Sequence, residues 1–263
     1  MASMSPQVVA HRGASHDIAE HTLGAYVEAL RIGADAVECD VRLTADGHLV
    51  CVHDRSLNRT AGVPALVSEM ELKDLESFEF ASWKGPFQPD IDDRYTRILT
   101  LDTLLETVMN AGRRVEVAIE TKHPTRFGGL VEHKLARTLK YHGLDGADSP
   151  VRVMSFNYAA LHRMRRLTPD LNMVMLMDKA QYWPMLRRVI GEDWWLGPGI
   201  KEIRDHPKWA RRLVETGRPV HVWTVNEAAD VQRCLRLGVA GIITDRPAYV
   251  MEQLGRTPMG AAG

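Results

Sequence analysis

The sequence predicts an α/β protein of the (β/α)8 TIM-barrel class, with a hairpin after the second strand and a small insertion beyond it. Three observations carry that prediction. Eight short apolar runs alternate with eight longer amphipathic ones. A chain of 263 residues, 45% of them hydrophobic, suits one large core of this kind. Ionisable residues recur where the apolar runs end, which is where barrels place their chemistry. An open doubly wound sheet is the alternative that shares the alternation.

The expected strands are 8–10, 36–40, 115–120, 151–155, 172–176, 194–197, 220–224 and 241–244. Each is short, apolar and mostly β-branched, as strands buried on both faces tend to be. The expected helices are 22–32, 101–111, 129–141, 159–167, 179–190, 207–215, 227–237 and 247–254. Thr22 reads as an N-cap, and Gly33 and Gly238 as residues that end helices in a left-handed conformation. Pro207 and Pro247 stand where a first-turn proline is tolerated. The whole chain, 1–263, reads as one barrel domain, with loose ends at residues 1–7 and 255–263.

Two stretches depart from the repeat. In 41–54 alternating apolar residues flank Asp46-Gly47, a strong hairpin signal. A two-residue turn there pairs Thr44 with Leu49, Arg42 with Cys51 and Asp40 with His53. The period of two puts Glu38, Asp40 and Arg42 on one face, with His53 directly across from Asp40. The stretch of about 55–99 is too long for an ordinary loop. Its aromatics, Phe78, Phe80, Trp83, Phe87 and Tyr95, suit a small packed insertion beside the site mouth.

Composition excludes several function classes. Formal net charge is −1, which gives no sign of a nucleic-acid surface or a polybasic membrane anchor. No apolar stretch reaches the ~18 residues of a membrane span, and no signal peptide is visible at the start. Cys39, Cys51 and Cys234 are odd in number and scattered, which argues against a disulfide framework and fits a reducing, cytoplasmic compartment. The sequence is silent on oligomeric state.

The strand ends collect His11-Arg12-Gly13, Glu38-Cys39-Asp40, Glu120-Thr121-Lys122-His123, Ser155-Phe156-Asn157, Trp223-Thr224-Val225-Asn226 and Asp245-Arg246. Glu38, Asp40 and Glu120 point one way, and like charges that close repel. A hard divalent cation relieves them, and all-oxygen ligation suits Mg²⁺, Ca²⁺ or Mn²⁺ better than zinc. The competing reading is a surface carboxylate cluster paired with Arg42 or Lys122. His11 and His53 suit proton transfer in cleavage of a phosphodiester near neutral pH, or else ligation of zinc. Arg12 and Lys122 supply positive charge for phosphoryl oxygens, or ion pairs to the same carboxylates.

These motifs resemble the glycerophosphodiester phosphodiesterase family. The resemblance runs from Val9-Ala10-His11-Arg12-Gly13 through Glu38-Cys39-Asp40-Val41, Thr44-Ala45-Asp46-Gly47, Val52-His53-Asp54 and Ile119-Glu120-Thr121-Lys122. It continues in Ser155-Phe156, Trp223-Thr224-Val225-Asn226 and Gly241-Ile242-Ile243-Thr244-Asp245. It implies a metal-dependent barrel that hydrolyses glycerophosphodiesters to glycerol 3-phosphate and an alcohol. It also implies His11 and His53 as the acid–base pair, Glu38, Asp40 and Glu120 as metal ligands, and Arg12 and Lys122 as phosphate binders. Trp223 would line the glycerol or head-group side. The family often has Pro-Glu-Asn-Thr where this chain has Ala19-Glu20-His21-Thr22. Glu20 keeps a role in orienting Arg12 or His11, and His21 reads as a loop residue rather than a third catalytic histidine. Two further readings stay open: a lysophospholipase D-like enzyme on acylated substrates, and a non-catalytic phosphate-binding barrel.

Overall fold

The computed structural model describes residues 5–85 and 92–259. Eight parallel strands form the barrel: β1 (Gln7–His11), β2 (Ala36–Leu43), β4 (Glu116–Thr121), β5 (Val151–Ser155), β6 (Asn172–Met177), β7 (Trp195–Pro198), β8 (His221–Val222) and β9 (Gly241–Thr244). Their order is β7-β6-β5-β4-β2-β1-β9-β8. Parallel bridges Leu196–Val220 and Gly199–Trp223 bring β7 and β8 together and close the ring. The antiparallel strand β3 (Leu49–Cys51) pairs with β2 outside it.

Both faces of the strands are covered, which explains why they read as continuous apolar runs. Residues such as Val8, Ala10, Val37 and Ile119 face the helices. Val9, Ala36, Ala118, Met154, Val174, Leu176 and Ile243 fill the barrel interior. Continuing the period of two upward from Val9, Ala36 and Ala118 aims His11, Glu38, Asp40 and Glu120 into the upper mouth.

Helix α1 (Leu23–Ile32) starts at Thr22, whose hydroxyl accepts from Ala25 N, and ends at Gly33 with φ 91°. Before it comes a tight turn at Gly13, where φ is 86° and a Cβ would lie 2.6 Å from the Ala25 backbone. Helices α4 (Leu101–Met109), α5 (Leu130–Tyr141), α6 (Tyr158–Leu167), α9 (Pro207–Val214), α10 (Ala228–Leu237) and α11 (Pro247–Gln253) follow the expected segments. Gly238 ends α10 with φ 71°, and Pro207 and Pro247 open their helices.

Four expectations need correction. The helix expected over 179–190 contracts to a 3₁₀ turn at Ala180–Tyr182 and a single turn, α7 (Trp183–Leu186). In that stretch Leu186 and Ile190 are the buried apolar residues, too few to support a longer helix by packing. A further helix, α8 (Ile200–Asp205), occupies a stretch expected to be loop. The regular part of β8 is short, because Trp223 leaves the ladder to bridge Gly199. The tail is tied down as far as residue 259: Arg256 pairs bidentately with Asp35 at 2.7 Å, and Met259 N donates to Ile32 O.

The hairpin register is also shifted by one. Val41 faces Cys51, Arg42 faces Val50 and Leu43 faces Leu49. Gly47 alone of the turn pair has positive φ, 84°, while Thr44 N donates to His48 O and Gly47 N to Thr44 O. This is a three-residue loop ending in a left-handed glycine, not the two-residue turn that needs positive φ twice. Asp46 does not take positive φ, and its carboxylate accepts from Thr44 Oγ1 and from Leu72 N. Val52, not His53, therefore stands across from Asp40, and Val52 N donates to Asp40 O.

The insertion carries α2 (Asn58–Ala61) and α3 (Leu72–Leu75). Its core is Leu57, Val67, Leu75 and Phe80 packed on Val50 and Val52 of the hairpin, with Phe78 beside them. Tyr95 instead packs on the main core. Trp83 is partly exposed, with Arg59 and Lys84 over its ring. Phe87 lies outside the described residues.

Candidate active site

The metal question turns on three neighbouring strands. The register sets His11 against Glu38, and Asp40 against Glu120. One carboxylate oxygen each from Glu38, Asp40 and Glu120 falls within 4.8 Å of the others, and all three residues are buried. Two cations serve them. Lys122 Nζ lies 2.9 Å from Asp40 Oδ1 and 2.8 Å from Glu120 Oε1. Arg12 Nε lies 3.0 Å from Asp40 Oδ2. Glu38 accepts the backbone N–H of Arg12 at 3.0 Å, with His11 Nε2 4.0 Å away.

Three carboxylates sharing two cations cannot all be equally satisfied, and their proton affinities diverge accordingly. Burial alone would raise Asp40, but Lys122, the His21 hydrogen bond and Arg12 hold it well below the usual carboxylate range. Burial and the neighbouring Asp40 push Glu120 up to about 8, against the pull of Lys122. The same two causes raise Glu38 well above its ordinary value. Asp40 Oδ1 has no well-directed hydrogen bond although Lys122 is close. A buried all-oxygen set with surplus negative charge and an unused acceptor fits a hard divalent cation. The arrangement also contains the ion pairs of the competing reading, since Lys122 sits in the cluster, whereas Arg42 does not bond to it.

Both histidines face the same cleft, of about 270 Å³, whose wall includes Arg12, Glu38, Glu120 and Lys122. His11 Nδ1 donates to Asp245 Oδ1 at 2.6 Å, and Ser15 and Asn226 hold that carboxylate from the other side. His53 Nδ1 donates to Asp54 Oδ1 at 2.7 Å. A carboxylate on Nδ1 fixes the tautomer and leaves Nε2 for proton transfer. His53 reaches the cleft although the ladder does not put it opposite Asp40. The chain leaves β3 after Cys51, and Arg42 grips the His53 carbonyl with Nε and Nη2 at 2.9 and 2.7 Å. Burial lowers the His53 pKa, with Lys122 and Arg12 opposing protonation further.

Around this lies a further layer, in which the sequence pointed to Glu20 beside Arg12 or His11 and assigned no role to the rest. Glu20 binds Arg12 Nη1 at 3.1 Å and, from the other side, Arg59 at 2.7 and 3.0 Å. Arg59 also donates to Asp54 at 2.6 Å. One chain of ion pairs thus joins Arg12, Glu20, Arg59, Asp54 and His53. His21 is a loop residue by position yet buried, with Nε2 donating to Asp40 at 2.9 Å and Nδ1 2.9 Å from the Tyr26 hydroxyl. Burial lowers its pKa to about 4, so it acts as a neutral donor. It sits behind Asp40 and does not line the cleft. Asp54 and Asp245 were legible as neighbours of His53 and of the last strand end. Arg59 lies in the insertion and carried no signal.

The rest of the lining is mostly apolar, Met154, Phe156, Leu176, Ile243 and Trp223, with Asp178 and Thr224 among them. Trp223 Nε1 donates to Gly197 O at 2.7 Å, and Phe156 meets its ring edge-on at 5.3 Å.

This geometry has known counterparts. The pattern of the glycerophosphoryl diester phosphodiesterase family matches residues 11–249. The chain belongs to that family. A Mycobacterium tuberculosis protein described as a probable glycerophosphodiester phosphodiesterase is 44% identical over 246 residues, 92% of this chain and 90% of that one. A Bacillus subtilis glycerophosphodiester phosphodiesterase is 32% identical over 244 residues, covering 91% and 83%. An Oleispira antarctica phosphodiesterase, solved in complex with the product sn-glycerol-3-phosphate, superposes with a TM-score of 0.79 at 25% identity, covering 96% and 98%. The barrel class and the enzyme class expected from the sequence are those of this family. No helix among the described residues is long and apolar enough to cross a membrane.

Proposed function

We propose that the chain hydrolyses glycerophosphodiesters to glycerol 3-phosphate and an alcohol. The observation that carries this reading is the meeting of three buried carboxylates with two carboxylate-oriented histidines in one cleft. The relatives' names and the product in the Oleispira structure support the substrate class.

Glu38, Asp40 and Glu120 would hold a divalent cation, Mg²⁺, Ca²⁺ or Mn²⁺ by donor chemistry. Such an ion supplies Lewis-acid polarisation of the phosphoryl group when bound. Arg12 and Lys122 bind phosphoryl oxygens and balance the charge that develops on them. The nucleophile's oxygen forms a bond to phosphorus as the bond to the alcohol's oxygen breaks. One histidine Nε2 takes the proton of the nucleophile and the other returns one to the departing alkoxide. Trp223 and the apolar wall exclude water and position the organic part of the substrate.

Purified protein supplied with Mg²⁺, Ca²⁺ or Mn²⁺ should release glycerol 3-phosphate from glycerophosphocholine and glycerophosphoethanolamine, and stop when the metal is chelated. Failure on every head group would favour a non-catalytic phosphate-binding barrel. A cyclic phosphate caught in a single turnover would identify the substrate's own 2-hydroxyl as nucleophile rather than water. A second reading is a lysophospholipase D-like activity. Phe156, Tyr158, Tyr182 and Met185 are exposed aromatic or apolar side chains in the segments after β5 and β6, on the catalytic end of the barrel. Turnover of lysophosphatidylcholine faster than glycerophosphocholine would favour it. A cytoplasmic setting is part of the proposal, and the three buried free thiols are compatible with it.

A further inference from the structure

A narrow groove adjoins the cleft and shares Lys122 with it. Three arginines line it from three separate elements: Arg42 on β2, Arg55 just after β3, and Arg126 in the loop before α5. Ser68 of the insertion and Thr125 add polar groups. Four cationic side chains therefore surround one depression at the rim.

Lys122 is paired with Asp40 and Glu120, but the charges of the three arginines are poorly answered by the protein. The Arg55 side chain makes no hydrogen bond or ion pair among the described residues, and it is exposed. Arg126 has an exposed carboxylate, Glu69, at 3.9 Å and the Ser68 carbonyl at 3.5 Å. Arg42 spends Nε and Nη2 on the His53 carbonyl, which leaves Nη1. The acidic groups nearest Arg42 are committed elsewhere: Asp54 to Arg59 and His53, Asp40 and Glu120 to Lys122. Arg55 stands close enough to Arg42 to oppose its protonation, as burial does more strongly. Like charges left facing one another cost stability. Their convergence from three elements is what recognition of a multiply charged anion requires. Arg55 and Arg126 are exposed while Arg42 is held by the His53 carbonyl, so an anion seats between the two mobile heads and this fixed one rather than in a preformed void.

We propose that this groove binds a second phosphate group carried on the alcohol part of the substrate. The site would then favour glycerophosphodiesters whose alcohol is itself phosphorylated over those with a neutral or cationic alcohol. The first phosphate sits at Arg12 and Lys122, and the second lies beyond Lys122, between Arg42, Arg55 and Arg126. This rests on the hydrolase reading above for its substrate, but not for the anion site itself.

Two comparisons test it on the metal-supplied enzyme. The first is turnover of bis(glycerophospho)glycerol against glycerophosphoglycerol, which differ by the second phosphodiester. We expect kcat/KM to favour the former about tenfold, through KM, and the Arg55→Gln/Arg126→Gln double variant to bring the ratio to about one while sparing glycerophosphoglycerol. Equal wild-type rates, or an equal loss on both substrates, would overturn the proposal. The second is calorimetric binding of propane-1,3-diyl bisphosphate against propyl phosphate. The wild type should prefer the bisphosphate about tenfold, and the double variant should lose that preference. A preference unchanged in the double variant would place the second phosphate elsewhere and sink the idea. If neither diester turns over, the hydrolase reading falls, while the calorimetric pair still decides the groove.

Discussion

At the scale of single residues, the site is a problem in charge. Glu38, Asp40 and Glu120 are buried within 4.8 Å of one another and have two cations between them. The side chains answer this unequally, with Asp40 taking Arg12, Lys122 and His21 while Glu38 takes a backbone N–H. Under the proposed metal site, removing one of these carboxylates should be felt first in metal affinity. Glu120→Ala is expected to weaken divalent-ion binding roughly 100-fold, read by calorimetry. His53→Ala should leave metal binding largely intact and lower kcat by roughly 10²- to 10⁴-fold, the usual worth of a general acid or base. Near-normal turnover in that variant would remove His53 from the acid–base pair. Trp223 belongs to the apolar wall, so Trp223→Ala should mainly alter the ratio of kcat/KM between head groups, by about tenfold.

At the scale of elements, the insertion contributes more than cover. Arg59 lies on α2 of the insertion, yet it bonds to Glu20 from the loop before α1 and to Asp54 after β3. Through those carboxylates it positions Arg12 and His53 without touching the cleft. Arg59→Ala should lower kcat about tenfold with little change in KM, and Arg59→Lys should recover part of it. A purely structural role would lower melting temperature and leave kcat per folded molecule unchanged. The hairpin carries a related lesson. Asp46-Gly47 was legible as a turn, but not as a three-residue one, because the choice depends on Asp46 being held by Thr44 and Leu72. A register slip of one residue moves every side chain to the other face. His53 arrives at the site because it lies beyond the ladder, where Arg42 fixes its carbonyl.

At the scale of the whole molecule, carboxylates hold distant parts of the barrel together, and acid should release them. Burial opposes ionisation of Glu20 and Asp245. Arg59 and Arg12 nevertheless bring Glu20 down from 4.5 to about 2, and His11 and Asn226 bring Asp245 from 3.8 to about 2. A depressed folded-state pKa stabilises fully above the unfolded value and less as pH falls toward the folded one. Stability should thus decline from about pH 5 toward pH 2 in urea titrations of metal-free protein, with Glu20 alone contributing roughly 3 kcal/mol. Glu20→Gln should flatten that slope, and an unchanged slope would exclude Glu20 as its source.

The sequence by itself determined the strand and helix alternation, because burial on both faces demands apolar strands and one-faced helices demand a period near 3.6. It also placed His11, Glu38, Asp40, Glu120 and Lys122 at strand ends, since alternation along a strand is a local property. Tertiary structure decided which distant groups complete them: Asp245 on His11, Asp54 on His53, His21 behind Asp40, and Arg59 between Glu20 and Asp54. It also decided the hairpin register, the short α7 and the anchored tail. Each of these depends on partners far along the chain, or on backbone conformations that side-chain partners select, and neither leaves a periodic trace in the sequence.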